Sequence, residues 1–218
     1  MESTSAPSKV ILYNYWRSSA SWRVRIALAW KGIDYEYVCV HLLKDEQNSE
    51  EHKRLNPMGR VPALVIDGHT LAESVAILEY LEETRKERPL LPADPVKRAT
   101  VRQLVEIVNS AIQPMQNIAV LDKISGEFKQ DRKAWAQLWI RKGMAAFEQI
   151  VSTSAGKYSV GDEVTFADAC IIPQVYACSR FEISLDEYPT IKRVVENLGE
   201  LEEFKKAHAN SQPDAEQV

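Results

Sequence analysis

The run KVILYNYW, followed by SSASWRVRIALAWK and then DYEYVCVHL, constrains the fold of this chain more than any other feature. The first segment is rich in β-branched and aromatic residues and reads as a strand. Ser18 or Ser19 can cap a helix that runs to about Lys31 and is stopped by Gly32. Val24, Ala27 and Leu28 fall on one face of that helix. DYEYVCVHL alternates and reads as a second strand. A strand, a helix and a strand in that order predict parallel pairing through a right-handed crossover.

The next segments change the direction of the sheet. NSEEHKRLNP is a short polar helix or loop ended by Pro57, and RVPALVID is a third strand. DGHT is a tight turn into a short fourth strand, which predicts an antiparallel hairpin. ESVAILEYLEETR then starts a helix with Ser74, Ile77, Leu78 and Leu81 on one face. The mixed pairing matches a thioredoxin-like sheet. Pro62 belongs at the start or edge of the third strand, because proline has no N–H for the ladder. A cis Val61–Pro62 bond would leave the Val61 backbone free to pair with something else.

RPLLPADPVKR is proline-rich and divides the chain. The division predicts an α/β domain over residues 8–88, a linker over 89–98, an all-helical domain over 99–210 and a loose tail over 211–218. Val101, Leu104, Val105, Val108 and Ile112 follow the helical period. RKAWAQLWIRKGMAAFEQIV is a long helix, TFADACIIPQVYACSRF a buried one carrying Pro173, and two short helices follow.

Composition excludes several functions. The formal net charge of −4 argues against a general nucleic-acid binder. No long apolar span predicts a membrane helix, and MESTSAPSK has no apolar signal core, so the expected location is the cytoplasm. Cys39, Cys170 and Cys178 have no metal-ligand spacing and form no even disulfide set, so all three are expected in the core. The histidines at 41, 52, 69 and 208 have no partners at ligand spacing, so no metal site is expected. Trp135 and Trp139 read as core. Thr165 and Asp168 form a capping box, and Asp168 reads as structural. Arg23 and Arg25 read as members of ion pairs or of a dimer surface.

Ser18 and Ser19 alone would be a helix cap worth roughly 1 kcal/mol. The Val61–Pro62 bend and the ES dipeptide at a second helix start change that reading. All three lie at strand ends of one small sheet, so two helix N-termini and a free strand backbone would converge. Such a patch suits an anionic, peptide-like ligand.

These residues also carry a resemblance. SSASWRVRIALAWKGIDYE, NPMGRVPALVIDGHTLAESVAILEYLEET, LLPADPVKRA, IQPMQN and YSVGDEVTFADACIIPQV together resemble the zeta-class glutathione transferases, from about Val10 to Pro213. The VPAL and ESxAI pieces mark the wider superfamily, and the serine-rich start of WRVRIAL narrows it to zeta. The resemblance implies a thioredoxin-like glutathione-binding domain, a C-terminal helical bundle and a homodimer in the cytosol. It implies glutathione as cofactor and a small dicarboxylate or haloacid as substrate. Ser18 would hydrogen-bond the glutathione sulfur, with Ser19 lining the same site. Val61 would pair its backbone with the cysteinyl unit, and Glu73 and Ser74 would hold the γ-glutamyl end. Gln47, Gln113 and Asn117 match further polar contacts, and Arg17 and Arg180 are candidates for the substrate carboxylates.

The implied reaction is glutathione-dependent cis–trans isomerisation of maleylacetoacetate to fumarylacetoacetate in tyrosine and phenylalanine breakdown, with glutathione transferase activity beside it. A haloacid-dehalogenating transferase and a maleylpyruvate-type isomerase are the alternatives, and a non-catalytic glutathione-binding protein is a third, from another class. The sequence departs from the family pattern in three places. Ala20 stands where the Ser-Ser-Cys-Ser motif has cysteine, Glu73 stands where zeta enzymes often have glutamine, and the loop around Gln47 is shorter than the pattern.

Overall fold

The computed structural model describes residues 9–216. The described residues form two compact units, one built from those up to Arg88 together with those from Glu202 onward, the other from Pro89–Leu201.

The first unit has the expected order. It runs β1 (Ile11–Asn14), α1 (Ser19–Trp30), β2 (Glu36–Cys39), α2 (Glu50–Leu55), β3 (Ala63–Ile66), β4 (His69–Ala72) and α3 (Ser74–Thr84), with short 3-10 turns at Leu42–Lys44 and Glu46–Asn48. The sheet order is β2-β1-β3-β4. β1 pairs parallel with β2, setting Asn14 opposite Cys39, and antiparallel with β3, setting Tyr13 opposite Ala63. The β3–β4 hairpin is antiparallel, with Ala63 opposite Ala72. The Val61–Pro62 bond is cis and immediately precedes β3, so Pro62 takes nothing from the ladder.

α1 stops where glycine permits it. Gly32 has φ +66°, and its amide bonds the Ala29 carbonyl while the Ile33 amide bonds Leu28. Ile77, Leu78 and Leu81 of α3 are fully buried with Leu12 and Leu64 of the sheet. α1 is buried on more than its expected face, from Ser21 through Leu28. α3 packs on one side of it and a later helix on another.

The second unit is helical: α4 (Pro95–Glu106), α5 (Ile118–Gly126), α6 (Arg132–Ser154), α7 (Phe166–Arg180) and α8 (Pro189–Gly199). The expected linker ends early, because Asp94 caps α4 through the Lys97 amide (2.8 Å) and Pro95 fits its first turn. Beyond α4 the helix widens into a π-helical turn, Ile107–Ile112, and tightens into a 3-10 turn, Gln113–Gln116. Val101, Leu104, Val105, Val108 and Ile112 are buried as their spacing predicts. The capping box of α7 is present: Asp168 accepts from the amides of Ser159 (2.9 Å) and Thr165 (2.7 Å) and from the Thr165 hydroxyl (2.9 Å). Cys170 and Cys178 are buried. Trp135 and Trp139 are only half-buried; they pair at the unit's surface, and the Trp135 indole donates to the Met115 carbonyl (3.0 Å).

The chain after α8 differs from expectation. Helix α9 (Glu202–Ala207) returns to the first unit and packs against α1. The residues after it are not loose up to Glu216. The Gln212 side-chain amide donates to the carbonyls of Lys206 (2.9 Å) and His208 (2.8 Å), and Asp214 accepts from the Trp16 amide (3.1 Å). The last two residues of the expected tail lie outside the described residues. Cys39 is exposed rather than core, because β2 is an edge strand and its thiol turns toward Asp214 (3.1 Å).

Among the described helices none is long and apolar enough to cross a membrane. Among the described residues no group of three or more His, Cys, Asp or Glu is arranged to hold a metal ion.

Candidate functional site

Register alone gathers most of the expected residues in the first unit. β1 ends at Asn14, next to the end of β2 and opposite the start of β3, and β4 ends opposite the same point. The segments that leave these ends carry Arg17, Ser18 and Ser19 after β1, Gln47 after β2, Val61 before β3, and Glu73 and Ser74 after β4. All seven therefore stand at one end of the sheet, together with the N-termini of α1 and α3.

Ser18 is the N-cap of α1, and its Oγ accepts from the Ser21 amide (3.2 Å). Among the described residues this is the hydroxyl's one hydrogen bond, so its proton is uncommitted. The amides of Ser19 and Ala20 in the first turn make no hydrogen bond among the described residues. They are orphan donors of a helix start, where the peptide dipoles also favour negative charge. Arg17 is half-buried, with its guanidinium 5.4 Å from the Trp16 ring centroid. Tyr15 is buried, and burial pushes its phenol above the ordinary value, so it stays neutral beside this turn.

Val61 is placed by its neighbours. The ladder begins at Ala63, which leaves the Val61 amide and carbonyl outside it. The preceding carbonyl, of Arg60, is held by His52 Nε2 (2.8 Å) and Asn56 Nδ2 (2.9 Å), both on largely buried side chains. Gln47 lies beside this loop. A Cβ at Gly59 would come within 2.8 Å of Asn48 Oδ1 and 3.2 Å of the Gln47 carbonyl, so only glycine admits that approach. Gln47 Nε2 donates to Asp45 (3.0 Å), and its Oε1 is buried with no hydrogen-bond partner among the described residues.

Glu73 has φ +65° and ψ +113°, a strained conformation for a non-glycine residue. Its exposed side chain gives α3 no cap, and its carboxylate makes no hydrogen bond among the described residues. Ser74 is buried and accepts from Arg23 Nη1 (3.1 Å), which ties α3 to α1. Spacing did not reveal this contact of Arg23. The expected surface role is replaced by burial: Arg23 and Arg25 are at most 1 % exposed. Arg25 donates to neutral oxygens of Asn14, Tyr15, Trp16 and Ala207, and burial pushes its guanidinium down to about 10, still charged at neutral pH.

The remaining expected residues belong to the second unit. Gln113 opens the 3-10 turn after the π-helical turn, and Asn117 caps α5 through the Ala119 amide (3.1 Å). Arg180 ends α7, exposed, with its guanidinium 5.9 Å from the Phe181 ring centroid.

An α/β unit followed in sequence by a helical unit is the architecture that the comparisons return. Residues 8–83 match the family model of the glutathione S-transferase N-terminal domain, and residues 116–210 match that of the C-terminal domain. A probable maleylacetoacetate isomerase of Drosophila melanogaster is 53% identical over 213 residues, covering 97% of this chain and 92% of the relative. The crystal structure of maleylacetoacetate isomerase from Anaeromyxobacter dehalogenans with glutathione bound in its active site superposes with a TM-score of 0.88. It is 47% identical and covers 95% of this chain and 98% of that one. A bacterial maleylpyruvate isomerase, described as a zeta-class glutathione transferase, gives a TM-score of 0.92 at 42% identity, covering 94% and 100% of the two chains. The chain belongs to the glutathione S-transferase family, in its zeta class.

Proposed function

We propose that this chain binds glutathione at the α1 and α3 end of its first unit and uses it to isomerise maleylacetoacetate to fumarylacetoacetate. The observation that carries this reading is Ser18: a helix cap whose hydroxyl proton is uncommitted, beside two open amides. The residues present fit the tripeptide. Val61 offers a backbone donor and acceptor outside the ladder, as an extended peptide requires. Glu73 offers a free carboxylate for an α-amine, and Ser74 and the open start of α3 suit an α-carboxylate. Gln47, Gln113 and Asn117 are assigned as further polar contacts by the family likeness.

Bound glutathione supplies a thiolate that adds reversibly to a conjugated cis double bond, which frees that bond to rotate before the thiolate leaves again. Lowering a thiol pKa by two units takes about 2.7 kcal/mol of preference for the anion. A helix start gives about 0.3–1 kcal/mol, and up to about 2 when partly buried. A hydroxyl donating to a charged acceptor adds roughly 1.5–3 kcal/mol. Neither source alone is comfortable, so Ser18 and the first turn of α1 act together, with Ser19 contributing its amide. Ala20, the one sequence feature that favours a purely binding role, removes the family cysteine without removing any of these donors. Arg17 and Arg180 are assigned to the substrate carboxylates, where a guanidinium can pair in bidentate fashion.

The likeness to maleylpyruvate isomerase favours maleylpyruvate as a second substrate; dehalogenation of α-haloacids would use the same thiolate. A homodimer in the cytoplasm is part of the same reading. An absorbance assay with maleylacetoacetate, with and without glutathione, tests the proposal. Isomerisation only with glutathione supports it, and no isomerisation in its presence defeats it. Chloride release from dichloroacetate at a higher kcat/KM would move the assignment to the haloacid.

A further inference from the structure

The turn Tyr15–Arg17 that presents Ser18 is held on both sides. From inside, the buried Arg25 of α1 donates Nη1 to the Tyr15 carbonyl (3.3 Å) and Nη2 to the Trp16 carbonyl (2.8 Å). The Ser18 amide closes the turn on Tyr15 (3.0 Å). From outside, the Trp16 amide donates to Asp214 Oδ2 (3.1 Å), a residue 198 positions further along the chain. Asp214 is itself fixed. Its carboxylate also accepts from the Tyr37 hydroxyl and the Cys39 thiol, the Ala215 amide bonds Gln212 (3.0 Å), and Glu216 pairs with His41 (3.2 Å). The segment 212–216 is thus a strap fastened to the ends of β1 and β2.

We infer that Asp214 is a positioning residue for Ser18, fixing through the Trp16 amide the turn that sets the serine hydroxyl against the glutathione sulfur. This inference rests on the proposed role of Ser18. Trp16 and Ser18 are two residues apart, so releasing the Trp16 peptide shifts the Ser18 Cα and hydroxyl directly. Catalytic groups need placement within about 0.5 Å, and a displacement near 1 Å costs about 100-fold. With Arg25 still holding the two carbonyls, a loss of about 10-fold is expected.

Asp214→Leu removes the acceptor, Asp214→Asn keeps one for the Trp16 amide, and the pair Tyr37→Phe with Cys39→Ala removes only the other two donors. Each would be compared with the parent for melting temperature, hydrogen exchange of the 15–18 amides, the ultraviolet thiolate absorbance of bound glutathione at pH 7, and kcat against KM. Asp214→Leu should speed exchange at 15–18 and lower both the thiolate fraction and kcat about 10-fold, with the KM for glutathione within twofold. Asp214→Asn should stay within twofold throughout, and the double variant, which loosens Asp214 but keeps the acceptor for the Trp16 amide, should lose less than Asp214→Leu. If Asp214→Leu does not fold, a chain ending at Gln212 replaces it with the same expected losses. A lowered melting temperature with thiolate fraction and kcat within twofold of the parent overturns the inference, as does equal loss in Asp214→Asn. Ser18→Ala runs alongside. If Ser18→Ala leaves the thiolate unchanged, the proposed role of Ser18 fails and this inference with it; if only the Asp214 variants are silent, this inference alone fails.

Discussion

Glu73 sets a local cost against a function, and Glu73→Gly separates them. The residue holds φ +65° and ψ +113°, outside the left-handed well that non-glycine residues sometimes occupy. Such a conformation costs about 1–3 kcal/mol. Glycine adopts it freely but adds about 0.5–1 kcal/mol of unfolded-state entropy. The exposed carboxylate makes no hydrogen bond among the described residues, so no other contact is lost. The net change in stability is therefore a gain between about zero and 2.5 kcal/mol. Binding should move the other way. A lost hydrogen bond to a charged amine is worth about 1.5–3 kcal/mol, or roughly 10- to 150-fold in the glutathione dissociation constant. Urea unfolding of the ligand-free protein and calorimetric titration with glutathione read the two effects, with Glu73→Gln as the variant that keeps an acceptor. Destabilisation beyond about 1 kcal/mol, or glutathione bound by Glu73→Gly within twofold of the parent, would refute the reasoning.

Three further outcomes follow from the same contacts. Asp168→Ala strips the donors of Ser159 and Thr165 of their buried acceptor and should cost about 3–5 kcal/mol in urea unfolding; a loss under about 1 kcal/mol would show that the capping box is dispensable. Partial burial and the hydrogen bond to Asp214 push the Cys39 thiol up to about 12, so its alkylation rate should rise about tenfold per pH unit from pH 7 to 10 without a plateau; a plateau near pH 9 would contradict this. Ala20→Cys should leave isomerase kcat within about threefold, because the family thiol is not the nucleophile; a gain of about 100-fold would make it one.

Much of the first unit was legible because its signals are local. The β-branched and aromatic run of β1, the alternation of β2, the DG turn, Gly32 and the position of Pro62 each act within a few residues, and the register then places Ser18, Val61 and Glu73 at one end. Cys39 was misread because alternation cannot tell an edge strand from a central one. The surface alternative for Arg23 and Arg25 failed because charge in a helix normally marks a solvated face; here backbone carbonyls and Ser74 take guanidinium protons inside the fold. The return of α9 and of Asp214 carries no local signal: a polar segment with one carboxylate looks the same whether it is solvated or capping an amide 198 residues away. The positive φ of Glu73 is equally silent, since nothing in its residue type calls for it.

The central claim is that Ser18, with the open first turn of α1, stabilises the thiolate of bound glutathione. Its most direct test is a pH titration of the ultraviolet thiolate absorbance of the glutathione complex in the parent and in Ser18→Ala. Losing a charge-assisted hydrogen bond of roughly 1.5–3 kcal/mol should raise the apparent pKa by about one to two units while glutathione still binds. Identical titration curves for the two proteins would contradict the account.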